Sequence, residues 1–341
     1  MTDTITTVGL DLAKSVFQIH AADNEGKPVL KKRLRRGQLL GFFAGLEPCL
    51  VGMEACGSAH YWARELMKLG HEVRLIAPQF VKPFVKTNKN DSADAEAICE
   101  AMQRPTMRFA AVKSAEQQSI LMLHRTRELL VRQKTMLLNA LRGHCAEFGI
   151  VVAQGAFRVG ELVAIINDDN DDRIPAVARE ALGFLVAQLR CAKEQITTLE
   201  KKLKAWHRSN EASRRLETIP GIGVITATAL VATIGDASQF KSGRELAAWL
   251  GLVPRQNSSG NKHRLGRISK HGDKYLRKLL VHGARTVLRW RVAKKETRTP
   301  WLEGMLHRRP TNVVLVAMAN KTARVVWALL NRNETWQPRT A

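Results

Sequence analysis

Four carboxylates in the first hundred residues have the residue type and the setting of metal ligands. Asp11 and Glu54 each close a short apolar run, and Asp91 and Asp94 are three residues apart. Residues three apart on a helix share a face, so this pair can point at one ion. Carboxylate oxygens suit Mg²⁺, and two ions about 4 Å apart stabilise the attacking and leaving oxygens of a phosphodiester. The four acids together predict a Mg²⁺ (or Mn²⁺) site, although any one of them alone would be expected to cap a helix or face solvent.

The charge balance predicts a polyanionic partner. Lys and Arg total 54 against 31 acids, which gives a formal net charge of +23 and a pI near 10.3. Such an excess favours nucleic acid, which is bound with release of counterions. A membrane partner is not expected, because no run of 18 apolar residues and no signal peptide is seen. We therefore expect a cytoplasmic protein.

A glycine-containing turn at 219–223 fits a helix-hairpin-helix. Its sequence is Ile-Pro-Gly-Ile-Gly, and Gly221 and Gly223 are free to take positive φ and to let a phosphate approach the backbone. Backbone N–H groups at the start of the next helix would then bind that phosphate. The alternative is an ordinary tight turn between packed helices.

A basic segment follows at 255–291, where eleven Lys or Arg residues accompany a single acid, Asp273. Its first half is rich in glycine and is expected to be mobile, and its second half, Asp273–Trp290, is expected to be a helix. A serine in such a loop could bind or attack a phosphate, but an isolated hydroxyl needs a base or a metal for activation. The residues expected to contact nucleic acid here are Arg255, Lys262, Arg264, Arg267, Lys270, Lys274 and Arg277.

The elements that must position the acids read as an α/β domain over residues 1–112. Three strands, a short helix and then alternating strands and helices give the element order of the ribonuclease H-like fold. Asp11 would end the first strand, Glu54 would end the fourth, and Asp91 and Asp94 would lie on a late helix. The predicted elements are strands at Ile5–Leu12, Ser15–Ala22, Pro28–Leu34, Leu50–Glu54 and Glu72–Ala77, with helices at Gln38–Gly45 and Ala59–Leu69.

Residues 113–212 are predicted to be helical, with long helices at 114–149 and 176–209. Leucine or isoleucine recurs every seven residues in both, which indicates coiled-coil packing. The sequence leaves open whether the two helices pack on each other or join two chains. The acidic run 167–173 lacks the glycine and glutamate of a calcium loop and is read as a turn that caps the next helix. Residues 213–341 form a third, mainly helical region.

Seven short motifs occur in a fixed order and make the chain recognisable. They are Gly9-Leu10-Asp11, Gly52-Met53-Glu54, Asn90-Asp91-Ser92-Ala93-Asp94, Ile219-Pro220-Gly221-Ile222-Gly223, Gly251-Leu252-Val253-Pro254, Ser258-Ser259-Gly260 and Gly266-Arg267-Ile268-Ser269-Lys270-His271-Gly272. In this order the chain closely resembles the DEDD insertion-sequence transposases, relatives of the pilin-gene invertase. The resemblance extends from Gly9 to about Leu330.

The resemblance implies a two-part recombinase. It implies a RuvC-type metal-binding domain over 1–112, a coiled-coil region over 113–212 and a transposase domain over 213–341. The family's four acids fall on Asp11, Glu54, Asp91 and Asp94, and its nucleophilic serine falls on Ser259, with Ser258 as a near-equivalent neighbour. A guide RNA from the element and assembly of a homodimer or tetramer are implied in the same way.

Two other functions stay open. A ribonuclease H-like nuclease or junction resolvase would use the acids for direct hydrolysis without a covalent intermediate. A non-enzymatic DNA-binding protein would use only the glycine turn and the basic segment. From the residues without the resemblance, a metal-dependent nuclease is the expected function.

Overall fold

A computed structural model describes residues 4–86, 90–153, 155, 158–294 and 298–337. The chain forms two compact units that divide between Glu116 and Gln117. The first is mixed α/β and the second is mainly helical, as the sequence predicts. The finer division at 112 and 212 stays a prediction.

The first unit is built on a six-stranded sheet in the order β3-β2-β1-β4-β5-β6. The pairs β1–β2, β2–β3 and β5–β6 are antiparallel, while β1–β4 and β4–β5 are parallel. The strands are β1 (Thr7–Leu12), β2 (Val16–Ala22), β3 (Pro28–Arg35), β4 (Leu50–Glu54), β5 (Glu72–Ile76) and β6 (Phe109–Ala110). The helices are α1 (Leu39–Ala44), α2 (Ala59–Lys68), α3 (Pro78–Val81) and α4 (Asp91–Met102), with 3-10 turns at Arg36–Gln38 and Lys82–Phe84.

Helices cover both faces of this sheet. Side chains alternate between the faces of a strand, so Val8 and Leu10 of β1 point into a core that also contains residues of α1 and α2. The opposite face carries Gly9 and Asp11 and packs against α4, whose buried side chains include Ile98 and Met102. The acids of β1 and β4 therefore lie on the face that α4 covers.

The predicted elements of this unit are confirmed to within a few residues at each end. One strand was not predicted. Strand β6 has only two residues, Phe109 and Ala110, which pair with Ile76 and Leu75 at the edge of the sheet. A two-residue strand is too short to show the alternation from which strands are predicted.

The second unit is helical apart from a two-stranded hairpin of β7 and β8. Its 3-10 turn is Ala237–Gln239. The elements are α5 (Ala115–Ala146, which begins at the junction of the units), α6 (Val159–Ile166), α7 (Ala176–Ser209), α8 (Glu211–Glu217), α9 (Val224–Ile234), α10 (Gly243–Trp249), β7 (Pro254–Gln256), β8 (Leu265–Ile268), α11 (Lys274–Ala293), α12 (Pro300–Arg308) and α13 (Thr311–Arg332).

The two long helices, α5 and α7, contribute to the same cores and run in opposite directions. Leu121 near the start of α5 shares a core cluster with Leu203 near the end of α7. Leu141 near the end of α5 shares another with Leu182 near the start of α7. The heptad positions of α7 are buried on this side, namely Leu182, Leu189, Ile196 and Leu203. These heptad side chains are buried, while coiled-coil packing, within one chain or between chains, stays a prediction.

A larger core joins α8 to α13. Helix α13 is long and apolar enough to cross a membrane by length and composition. However, six of its residues are buried in this core, including Leu315, Ala319 and Val326. Its apolar composition is therefore that of a central helix in a packed unit.

The acidic run at 167–173 is a turn, as predicted, but it does not cap the next helix: the N-cap of α7 is Pro175, and no described side chain caps this helix. The Asp168 carboxylate accepts the N–H of Asn170, and the Asp171 carboxylate accepts from the backbone and side chain of Arg173. Arg179 donates to the carbonyl of Ile166 at 2.8 Å. The acids are thus used to hold the turn before α7.

Candidate metal centre and basic hairpin

Three of the four predicted acids meet at one point. One carboxylate oxygen from each of Asp11, Asp91 and Asp94 can be chosen so that all three lie within 4.8 Å of one another. The rest of the described residues form no other group of three potential metal ligands this close together. Asp91 is exposed, while Asp11 and Asp94 are half-buried. Such a set of oxygen donors fits a hard divalent cation.

Glu54 lies beside this cluster on the adjacent strand. Leu10 pairs with Met53 in the parallel ladder, so Asp11 and Glu54 each follow a paired residue by one position. The charge of Glu54 contributes to raising the pKa of Asp11, which shows that it is within electrostatic reach. Its carboxylate is not within the 4.8 Å group.

Two glycines that sequence reasoning left without a role bring the helix to the strands. A Cβ on Gly9 would lie 2.1 Å from the carbonyl oxygen of Ala95, and one on Gly52 would lie 2.5 Å from the sulfur of Met102. Helix α4 therefore rests on the two strands at a distance that only glycine allows. Its first turn, with Asp91 and Asp94, then reaches Asp11. The signal was present in the sequence, because each glycine precedes an acid by two residues and therefore shares its face of the sheet.

The carboxylates of the cluster repel one another, which makes it harder for Asp11 to ionise. The pKa of Asp11 is raised to about 6, first by burial and then by the charges of Asp94, Asp91 and Glu54. Burial, with Glu54 and Asp11, also raises the pKa of the nearby Cys56 thiol, which keeps that side chain neutral. A divalent cation would relieve the repulsion among the carboxylates.

The glycine-rich loop, predicted from composition to be mobile, forms a β-hairpin that the sequence analysis did not predict. Strands β7 and β8 pair antiparallel, and Ser259 and Lys262 form a further bridge at the tip. At the base, Gly251 and Gly272 have positive φ of +72° and +79°. A Cβ on either would lie about 2 Å from a backbone oxygen (2.1 and 1.8 Å), so the two crossing segments are tightly packed. The glycines fix the base of the hairpin, which composition alone does not reveal.

The two adjacent serines at the hairpin tip differ in environment. The hydroxyl of Ser258 accepts the N–H of Arg264 at 3.2 Å and a side-chain N–H of Gln256 at 3.2 Å. Ser259 is exposed, and no described residue is recorded as a partner of its hydroxyl. Of the two hydroxyls, that of Ser259 is the more available to an incoming phosphate.

The predicted nucleic-acid contacts separate into two groups. Six of the seven basic residues are exposed on or beside the hairpin, namely Arg255, Lys262, Arg264, Arg267, Lys270 and Lys274. Arg277 is half-buried and donates to the carbonyl oxygens of Leu250 and His271 at 3.0 Å each. Its guanidinium therefore holds the base of the hairpin.

The glycines of the 219–223 turn also differ. Gly221 has a φ of +88°, and a Cβ there would lie 2.8 Å from the carbonyl oxygen of Gly283 in α11. It thus has a packing role of its own. Gly223 is exposed at the N-cap of α9, with open space around it. Gly223 keeps the access that a phosphate contact requires.

Comparison with protein families assigns both halves of the chain. A model described as "Transposase IS116/IS110/IS902 family" matches residues 213–299. A second, described as "Transposase" and named for the DEDD domain of IS110, matches residues 8–149. The DEDD domain implies dependence on a divalent metal, and the cluster of Asp11, Asp91 and Asp94 offers the ligands.

Two transposases align with nearly the full chain, and a further relative aligns with part of it. A probable family 20 transposase of Pseudomonas aeruginosa is 51% identical over 335 residues, which cover 98% of this chain and 99% of the relative. The transposase for insertion sequence element IS1111A of Coxiella burnetii is 43% identical, covering 98% and 92%. A pilin gene-inverting protein of Moraxella bovis is 31% identical over 38% of this chain and 40% of its own length. The chain therefore belongs to the IS116/IS110/IS902 family of transposases, enzymes that act on DNA.

Proposed function

We propose that this transposase cuts and rejoins DNA through a covalent serine–phosphodiester intermediate, assisted by Mg²⁺ (or Mn²⁺) at the carboxylate cluster. The observation that carries the metal part is the approach of Asp11, Asp91 and Asp94 to within 4.8 Å. The covalent part is supported by the exposed hydroxyl of Ser259 on an ordered, basic hairpin. Glu54 would complete the acidic set from the neighbouring strand.

The chemistry conserves the energy of the phosphodiester bond. The Ser259 oxygen bonds to phosphorus while one deoxyribose oxygen leaves as a hydroxyl, and the serine proton lost is balanced by the proton gained there. A hydroxyl of a second DNA strand then attacks the same phosphorus and releases the serine. A bound divalent ion would supply charge stabilisation at the phosphate. Asp11, Asp91 and Asp94 would hold that ion, and the basic side chains of the hairpin would hold the DNA backbone.

Several finer features belong to the same proposal. We infer a ribonuclease H-like, RuvC-type first unit from the strand order β3-β2-β1-β4-β5. The turn at 219–223 would act as a helix-hairpin-helix through Gly223, with Gly221 giving the turn its shape. A guide RNA from the element, a homodimer or tetramer, and a location at the bacterial nucleoid complete the proposal. Binding of both DNA and a guide RNA requires an excess of positive charge, and the chain has a formal net charge of +23.

Incubation with element-end DNA, the flanking transcript and Mg²⁺ tests the covalent step. We expect a protein–DNA adduct on a denaturing gel, with peptide mapping to Ser259. The variant Ser259→Ala should lose the adduct completely. Ser258→Ala is the matched control, because it removes a hydroxyl one residue away and should retain most adduct.

The same assay separates the proposal from direct hydrolysis. Asp11→Asn should abolish all cutting, whereas Glu25→Gln, which removes an exposed acid outside the cluster, should not. Cut DNA without an adduct, and unchanged after Ser259→Ala, would instead identify a metal-dependent nuclease. Binding without any cutting, and without any effect of Asp11→Asn, would identify a DNA-binding protein.

A further inference from the structure

The strand register places basic side chains in line with the carboxylate cluster. Asp11 pairs with Gln18 in β2, and Gln18 pairs with Arg33 in β3. Paired residues of adjacent strands point to the same face, so Asp11, Gln18 and Arg33 form one row across the sheet. Arg35 lies two residues further along β3 and therefore on the same face. We call Gln18, Arg33 and Arg35 the basic shelf.

Helix α4 covers the sheet beside the shelf but not the shelf itself. His20 and Ala22 of β2 are buried on the α4 face, whereas Val16 and Gln18 on that face are half-buried. The first turn of α4, with Asp91 and Asp94, ends the covered part. The open part of this face thus begins beside the carboxylates and continues to the edge strand.

Arg33 differs in its partners from Lys31, which lies two residues earlier on the same face. Lys31 points to the same face and pairs with Glu96 of α4 at 3.0 Å. Arg33 is exposed, and no described residue is recorded as an ion-pair or hydrogen-bond partner of its side chain. Arg33 and Arg35 are like charges on neighbouring positions of one face, an arrangement that an anion stabilises.

The shelf also answers an electrostatic difficulty of the site. A phosphodiester that approaches Asp11, Glu54, Asp91 and Asp94 is repelled by them. Fixed positive charge beside the acids offsets this repulsion and holds the strand. Arg33 lies two strands from Asp11, a backbone separation of about 10 Å at the usual strand spacing. One DNA strand rises about 3.4 Å per nucleotide along the helix axis, and its phosphates are further apart than this because the backbone winds around the axis. A separation of about 10 Å therefore corresponds to about one or two nucleotides.

We propose that the basic shelf binds the phosphodiester backbone of the DNA strand that reacts at the carboxylate cluster, about one or two nucleotides from the reacting phosphate. The proposal rests on the proposed function for the identity of the strand. Arg33 would be the main contact and Arg35 the next along the backbone. Gln18, which lies in the row between Asp11 and Arg33, would donate a hydrogen bond to the same DNA backbone.

The matched pair Arg33→Gln and Lys32→Gln tests the shelf. Both remove one positive charge from adjacent positions of the same strand, but Lys32 points to the other face, over the Phe42 ring. With element-end DNA, we expect Arg33→Gln to weaken binding about tenfold at low salt. It should also reduce the slope of log affinity against log salt by about 0.9, the value for one phosphate contact. Lys32→Gln should leave both nearly unchanged, and Arg33→Lys should recover part of the affinity.

A single neutral methylphosphonate, moved along the strand, locates the contact. Wild-type protein should lose affinity when the neutral linkage lies about one or two nucleotides from the mapped cut site, and Arg33→Gln should show no further loss at that position. Equal affinities and slopes for Arg33→Gln and Lys32→Gln would overturn the shelf, while the Ser259 adduct in the same preparations would leave the proposed function intact. An Arg33 effect seen with the flanking RNA alone would overturn the DNA assignment in favour of an RNA contact. Circular dichroism spectra of all variants report whether the sheet is folded.

Discussion

A missing side chain at each of two positions decides the geometry of the candidate metal centre. Gly9 and Gly52 give α4 room to lie on β1 and β4, and Asp91 and Asp94 reach Asp11 as a result. The raised pKa of Asp11 reflects its burial first and the charges of the neighbouring acids second. At the residue scale, the site thus depends on side chains that contribute no ligand atom.

Gly9→Ala should damage metal binding without removing a ligand. The added Cβ would lie 2.1 Å from the Ala95 oxygen and 2.7 Å from the Cys99 nitrogen, so α4 must shift. We expect a loss of about 1–3 kcal/mol in unfolding free energy, as for overpacked cores, and at least tenfold weaker Mn²⁺ binding by calorimetry. Gly41→Ala is the control, because nothing lies within 4 Å of its Cβ and alanine favours the helix. Unchanged Mn²⁺ affinity in Gly9→Ala would show that the approach of α4 is not critical.

At the scale of elements, a buried polar network joins three helices of the second unit. The hydroxyl of Thr228 in α9 donates to the Val224 carbonyl at 2.7 Å, so it accepts from Nε2 of His124 at 3.0 Å. Nδ1 of His124 then accepts from the Tyr275 hydroxyl at 3.1 Å. Every polar atom of this imidazole is satisfied in its neutral form, which fixes α5 against α9 and α11.

The network predicts an acid-sensitive stability. Burial, aided by the charge of Arg127, lowers the pKa of His124 to about 4 from its ordinary 6.5. Arg127 itself pairs with Glu200 of α7, and burial raises the pKa of Tyr275, so that hydroxyl stays neutral. Between pH 4 and pH 6.5, the His124 side chain is protonated in the unfolded chain but stays neutral in the folded protein. The neutral His124 therefore contributes its full stabilisation above pH 6.5, and this stabilisation is lost as the pH falls to 4. The loss in unfolding free energy is about 3 kcal/mol, at about 1.36 kcal/mol per pKa unit.

Urea denaturation at a series of pH values measures this contribution. His124→Gln should lower stability at neutral pH and flatten its decline between pH 6.5 and 4. His282→Gln replaces an exposed histidine of α11 and should keep the wild-type decline. The assignment fails if His124→Gln and wild type decline in parallel.

On the scale of the whole molecule, positive charge is distributed unevenly between the units. Residues 1–116 hold 16 of the 54 Lys and Arg residues and 13 of the 31 acids, which leaves +3, so residues 117–341 carry +20 of the total +23. The second unit therefore supplies most of the attraction for nucleic acid. The first unit contributes a local pattern of acids beside arginines.

Neutralising the hairpin should change the salt dependence of DNA binding. Replacement of Lys262, Arg264 and Arg267 by Gln removes up to three phosphate contacts, so the slope of log affinity against log salt should fall by up to about 2.7. Fluorescence anisotropy with labelled element-end DNA over a series of salt concentrations measures it. The control replaces Lys201, Lys202 and Lys204, three exposed lysines of α7, and removes the same charge. Equal slopes for the two triple variants would show that net charge, and not the hairpin, governs binding.

Much of this arrangement could be predicted from local sequence. Alternation and heptads predicted the strands of the first unit and both long helices, and the three-residue spacing predicted that Asp91 and Asp94 share a face. What could not be predicted depends on contacts between distant residues. The order of the hairpin rests on Gly251 meeting His271 and Gly272 meeting Trp249, and the packing role of Gly221 rests on Gly283, 62 positions away. The row from Asp11 to Arg33 required the register of two strand pairs, which no single segment encodes.

Among the residues that the structure describes, strand β3 forms one edge of the six-stranded sheet. Its outer N–H and C=O groups are a template on which another chain could add a strand, and four of its eight residues are Lys or Arg. These cations repel a second copy and so protect the protein from aggregation. Each positive charge removed from this edge weakens that protection, so the solubility of such variants depends on the number of Lys and Arg residues that remain on β3.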